Sequence, residues 1–213
     1  MADAADPSLE SDSARHKHNG WTSRGYLPHF DAPNLIQGIT FHLGDSLPAH
    51  VVAAMAEDPE LKTDLQRRAR IETYLNAGYG ACYLHDPRVG EIVENALLHF
   101  DGQRYQLIAW VVMPNHVHVM IQMQECHPIR GIVQSWKSFT AKAANRILHR
   151  SGNFWFADYF DRFIRDADHF AQAIAYIHDN PVKAGLALHP GDWPFTSARR
   201  SLETRTFPPP GGK

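Results

Sequence analysis

Cysteine is scarce: Cys82 and Cys126 are the two in 213 residues, which excludes a disulfide scaffold and any cysteine-rich zinc motif. No apolar run approaches the roughly 20 residues that a membrane-spanning helix needs. The opening stretch, MADAADPSLESDSARHKHNG, is polar and acidic with no apolar segment, so no secretory signal is expected and the expected compartment is the cytoplasm. Net charge is also small, −2 with histidines neutral, which by itself argues against a nucleic-acid partner.

That average hides an uneven distribution. Asp3, Asp6, Glu10 and Asp12 precede any base, whereas the stretch from Cys126 to Ala157 holds Arg130, Lys137, Lys142, Arg146 and Arg150 and no acid. A local positive surface is what phosphate binding requires, so whole-chain charge decides nothing. The apolar fraction of 44% and charged fraction of 21% are those of an ordinary globular chain, and the length suits one domain. The expected organisation is a flexible arm over residues 1–20, a single domain over 21–202 and a flexible Pro/Gly tail over 203–213.

Within the domain, NLIQGITFHL (Asn34–Leu43) reads as a strand, and the region from Pro48 to Gly78 as helical with a break near Asp58-Pro59. Asp86-Pro87 opens a helix through VGEIVENALLHF, with Asp as cap and Pro at the first helical position. Arg104–Met113 and His116–Met123 are apolar strands around the Pro114-Asn115 turn. A basic amphipathic helix follows over Pro128–His149, then an extended or irregular aromatic segment over Asn153–Arg165. A last helix runs from Asp168 to about Asp179 and is expected to stop before Pro181. This order predicts an α+β fold, an antiparallel sheet carrying helices on one face.

Two clusters carry chemistry. In Pro114-Asn115-His116-Val117-His118-Val119-Met120-Ile121, strand alternation puts His116 and His118 on one face and Val117, Val119 and Ile121 on the other. Two imidazoles on one rigid face can chelate a metal ion; the plainer alternative is an unliganded pair on a half-buried strand. In Tyr176-Ile177-His178-Asp179-Asn180-Pro181, Tyr176 and Asn180 lie one helical turn apart on one face. Asn180 offers a hard oxygen suited to Mg²⁺ or Mn²⁺ that could complete the histidine site, and Tyr176 is a nucleophile that a nearby divalent ion assists. The alternative is a core-edge tyrosine before a helix-ending Asn-Pro turn. No side chain is an evident general base for Tyr176.

Taken together, the His-hydrophobic-His strand and the helical tyrosine followed four positions later by an amide resemble the single-tyrosine HUH transposases. SRGYLPHFD (Ser23–Asp31), AWVVMPNHVHVMI (Ala109–Ile121), SWKSFTAKAANRIL (Ser135–Leu148), YFDRFIRD (Tyr159–Asp166), YIHDNPVKAGL (Tyr176–Leu186) and DWPFTSARR (Asp192–Arg200) resemble, in order, the REP-associated tyrosine transposases of bacteria. The resemblance implies a ferredoxin-like fold, His116 and His118 as the HUH histidines and Tyr176 as nucleophile, with Asn180 at a position where many single-tyrosine HUH enzymes carry Gln. It implies Mg²⁺ or Mn²⁺ as cofactor and, as partner, single-stranded DNA with hairpins of REP-like repeats in the nucleoid. Arg24, Lys137, Lys142 and Lys183 are the expected phosphate contacts. The function expected is DNA cleavage and joining through a 5′-phosphotyrosine; a non-catalytic hairpin-binding protein and a small-molecule metallohydrolase are the alternatives.

Overall fold

A computed structural model describes residues 20–23, 28–48, 51 and 64–200. Arg24, residues 1–19, the Asp58-Pro59 break and residues 201–213 lie outside the described residues. A two-stranded antiparallel ribbon, β1 (Gly20–Ser23) with β2 (Pro28–Asp31), precedes the main sheet. That sheet contains β3 (Ile36–His42), β4 (Tyr105–Val112), β5 (His116–Met123) and β6 (Phe160–Phe163) in the order β4-β5-β3-β6. All three pairings are antiparallel. The helices are α1 (Asp64–Asn76), α2 (Pro87–His99), α3 (Ile129–Ile147) and α4 (Ala167–Lys183).

The run β3-α2-β4-β5-α3-β6 with this strand order is the ferredoxin-like βαββαβ arrangement, with α1 inserted after β3. The α+β class expected from the sequence is therefore correct. Local chemistry explains several boundaries. Asp86 caps α2 by accepting from Arg88 N at 3.0 Å, with Pro87 at the first helical position. Met113 N donates to His116 O at 2.8 Å, closing the tight Pro114-Asn115 turn between β4 and β5.

Both faces of the sheet are covered, not one. Ile39, Phe41, Val117, Val119 and Ile121 pack against Val93 and Leu97 of α2 and Ile132, Val133 and Trp136 of α3. On the other face Ile36, Ile108, Val111 and Met120 pack with Ile177 of α4. A register shift between Leu107 and Ala109 makes this possible, since it turns both Ile108 and Ala109 toward α4. Only the two crossover helices obey the one-face expectation; α4 adds a layer behind it.

Two further expectations change. The last helix does not stop before Pro181 but continues to Lys183 with Pro181 inside it. Asn180 and Pro181 are buried, and the turn closes beyond the proline through Ala184 N to Asn180 O at 3.0 Å and Leu186 N to Pro181 O at 2.8 Å. Packing and the bonds after the ring thus override the local penalty of a proline near a helix end. The aromatic segment before α4 is not wholly irregular, because Phe160–Phe163 forms the edge strand β6 against β3. The DWPFTSARR segment fastens this half of the molecule. Trp193 Nε1 donates to Val112 O at 2.8 Å, and Ser197 Oγ accepts from Trp110 N at 3.0 Å while lying 2.8 Å from His178 Nε2 of α4.

Candidate active site

Strand alternation on β5 places His116 and His118 side by side on the α4 face, ring centroids 4.7 Å apart and nearly perpendicular at 83°. They are 0% and 3% exposed. Each ring is held through Nδ1. His116 Nδ1 donates to Asn115 Oδ1 at 2.7 Å, and His118 Nδ1 is hydrogen-bonded to Thr40 Oγ1 of β3 at 2.8 Å. The Asn115 amide is oriented by its own donors, which reach Leu75 O at 3.1 Å and Tyr79 O at 3.0 Å. Its oxygen must therefore accept, and the His116 proton must sit on Nδ1. Nε2 of both histidines is left buried with no hydrogen-bond partner. Burial, aided by the neighbouring rings of His118 and His42, holds His116 well below the usual histidine range; burial pushes His118 down to about 3. Both are neutral imidazoles at pH 7, the form that ligates a metal.

α4 supplies the other half. Asp166 caps it by accepting from His169 N at 2.7 Å, and Phe170, Ile174 and Ile177 seat it on the sheet. This orientation presses the Tyr176 ring edge-on against His118, centroids 5.3 Å apart. Asn180 follows one turn later and is 1% exposed. No hydrogen bond of ordinary geometry reaches Tyr176 Oη or either amide atom of Asn180. Burial and then the Glu72 carboxylate push the Tyr176 phenol well above its ordinary range, while Asn180 and Asn76 act the other way. Lys183 Nζ stands 5.2 Å from the Tyr176 ring centroid. His118, Tyr176, Thr40, Glu72, Arg162 and Lys183 all line one cleft of about 970 Å³.

The four side chains singled out in the sequence thus form one row, His116–His118–Tyr176–Asn180, buried except at the partly exposed Tyr176, with Lys183 beside it. Four participants were missed, Thr40 among them, since a strand threonine gives no local sign that it holds His118. Glu72 and Asn76 come from α1, where their four-residue spacing on one helix face was the available signal. Asn115 reads as a turn residue, and nothing local reveals that it orients His116. His42, opposite His116 in the register, is a further buried histidine whose Nε2 has no partner. Its ring stacks on Phe156 at 4.6 Å, and burial lowers it to about 4. Among the described residues no three His, Cys, Asp or Glu side chains converge as a metal cage.

The expected phosphate contacts separate. Lys142 is exposed on α3. Lys137 has a structural task instead: its Nζ donates to the carbonyls of Phe156, Ala157 and Asp158 at 2.6, 2.9 and 3.2 Å. All three ammonium protons are used in bracing the chain that leads into β6.

The chain is similar to known proteins over the region that holds this site. The family model "Transposase IS200 like" matches residues 84–180, a span that contains His116, His118, Tyr176 and Asn180. A Haemophilus influenzae protein assigned to the REP-associated tyrosine transposases is 28% identical over 114 residues, 49% of this chain and 65% of the relative. The chain therefore spans just under two thirds of that relative's length. The REP-associated tyrosine transposase of Escherichia coli K12 is 25% identical over 121 residues, 55% of this chain and 70% of the relative. A solved REP-associated tyrosine transposase bound to a REP hairpin shares the fold, with a TM-score of 0.55 and 19% identity over 87% of this chain and 89% of that one. No described helix is long and apolar enough to cross a membrane. In its ordered motifs, its fold and these relatives, the chain is similar to the REP-associated tyrosine transposases.

Proposed function

We propose that the chain is a metal-dependent nuclease and strand transferase acting on single-stranded DNA beside hairpin repeats. The observation that carries this reading is the buried row of unpartnered polar atoms: Nε2 of His116 and His118, Oη of Tyr176 and the Asn180 amide. Native proteins seldom leave such atoms unpaired, because each costs about 1–3 kcal/mol. Two neutral imidazoles and an amide oxygen suit a divalent ion of the Mg²⁺ or Mn²⁺ type. Once bound, that ion would polarise the scissile phosphate.

The chain's own residues carry the rest. Asn115 and Thr40 orient the two imidazoles, and α4 holds the phenol against them. Tyr176 Oη attacks phosphorus, the P–O3′ bond breaks, and the 5′ phosphate remains on the tyrosine while a 3′-hydroxyl is released. Glu72, the carboxylate facing Tyr176 from α1, is the acceptor at hand for the phenolic proton, and Lys183 supplies positive charge at the cleft. Attack of another 3′-hydroxyl reverses the step and joins strands. The solved relative bound to a REP hairpin supports a hairpin of this kind as the partner.

The test is covalent capture. Wild type with Mn²⁺ and a labelled hairpin oligonucleotide should yield a protein–DNA adduct and a cut strand; Tyr176→Phe should bind the DNA and yield neither. Cleavage by Tyr176→Phe at the wild-type rate would mean that water is the nucleophile. Tight binding by wild type with no adduct would favour a non-catalytic hairpin-binding protein.

A further inference from the structure

The outer flank of α3 has a composition that the cleft chemistry does not use. Phe139 is 60% exposed, and Ser135, Lys142 and Arg146 lie on the same flank at positions −4, +3 and +7 from it. Lys142 and Arg146 are exposed and make no ion pair among the described residues. α3 contains no acidic residue. The buried side of α3 packs on the sheet face opposite α4, so this flank lies across the sheet from Tyr176.

We propose that this flank is a stacking site for an unpaired nucleobase of single-stranded DNA, with Phe139 as the platform and Lys142 and Arg146 as the phosphate contacts. The inference rests on the DNA-processing reading and adds to it a contact remote from the cleft. A single exposed ring is ordinary on a protein surface. A ring flanked by two unpaired cations on a helix without carboxylates matches what a single strand offers, a flat apolar face on an anionic backbone. A duplex does not offer this, because its bases already stack on one another. A protein partner would need a contiguous apolar patch, and among the described residues the other exposed large apolar side chains, Tyr79, Leu186 and Leu188, belong to other segments. The site contributes affinity and leads the strand around the sheet; it takes no part in the chemistry at Tyr176.

The experiment compares a fluorescein-labelled hairpin carrying single-stranded flanks with a blunt duplex of the same stem. Phe139→Ala should weaken binding of the flanked hairpin about tenfold and leave the duplex nearly unchanged, while Phe139→Trp restores affinity. The cleavage rate at saturating DNA should not move, since the residue touches no reacting group. Equal affinity of Phe139→Ala and wild type for the flanked hairpin overturns the proposal and leaves the Tyr176 chemistry standing. Reduced self-association with unchanged DNA affinity assigns the flank to a second copy of the chain and overturns it too. A wild type that binds neither DNA overturns both this site and the reading beneath it.

Discussion

The two faces of β5 bury polar groups in opposite ways. On the α2–α3 face the polar groups at the centre of the apolar packing have partners, while Gln37 Oε1 and Asn145 Oδ1 toward its margin do not. Tyr105 Oη donates to Leu97 O at 2.6 Å and accepts from Trp136 Nε1 at 2.9 Å; Trp155 Nε1 donates to Thr140 Oγ1 at 2.9 Å. On the α4 face His116, His118 and Asn180 are buried and Tyr176 is partly buried, and all four end in atoms with no partner. One face was built for stability, the other at a cost in stability that a ligand would offset. The same strand supplies Val117, Val119 and Ile121 to the first and His116 and His118 to the second.

The comparison breaks most sharply at Ile121. Ile121→Ala opens a cavity in the satisfied face and should cost about 2–4 kcal/mol in denaturant unfolding, with the Tyr176 site intact. Tyr176→Phe on the opposite face should do the reverse. It removes an unpartnered hydroxyl, so stability should stay level or rise by about 1 kcal/mol while the adduct disappears. A Tyr176→Phe protein destabilised as much as Ile121→Ala would contradict the contrast.

A smaller effect is expected at Asn115, which belongs to both worlds. Its side chain is satisfied at Leu75, Tyr79 and His116, yet its oxygen fixes the tautomer of a group on the unsatisfied face. Asn115→Ala should weaken Mn²⁺ binding by roughly 10–100-fold, measured by calorimetry, and Asn115→Asp should retain more of that affinity because it still accepts from Nδ1. Equal loss in both variants would make Asn115 a turn residue only.

The smallest effect concerns His29, a third kind of buried polar group, fully paired and charged. Its Nδ1 contacts Asp161, its Nε2 lies 3.1 Å from Asp158, and its ring stacks on Tyr159 at 4.4 Å. Burial opposes the charge, but the hydrogen bonds and charges of Asp158 and Asp161 outweigh it and raise the pKa from 6.5 to about 9. A raised histidine pKa stabilises the fold fully below about 6.5 and loses that contribution as pH climbs through about 9. Thermal melts should therefore decline by about 2–4 °C over that window, and His29→Gln should flatten the decline at a lower overall Tm. A wild-type Tm constant from pH 6 to 10 would show that the histidine carries no net charge linkage.

Much of this was legible in the chain. Alternation in PNHVHVMI assigned the histidines to one face before any coordinates, because side chains on a strand alternate regardless of context. The four-residue step from Tyr176 to Asn180 likewise needed only helix geometry, and Asp86-Pro87 announced α2 through cap chemistry. What escaped were relations across large sequence separations. Lys137 reads as a phosphate ligand until the carbonyls of residues 156–158 arrive around it. Pro181 reads as a helix stop until burial of Asn180 and Pro181 carries the helix past it.

The division follows from what each level of structure controls. Backbone periodicity is local, so the sequence by itself determined the paired histidines, the tyrosine–amide face, the basic character of α3 and the α+β order. Facing elements are chosen by packing, which no local window contains. Only the tertiary structure decided that α4 covers the second face of the sheet, since that depended on the bulge at Ile108 turning two residues toward it. It likewise decided that Glu72 and Asn76 approach Tyr176 from α1 and that Asn115 spans Leu75, Tyr79 and His116, because a polar side chain takes whichever partners the packed backbone brings within reach.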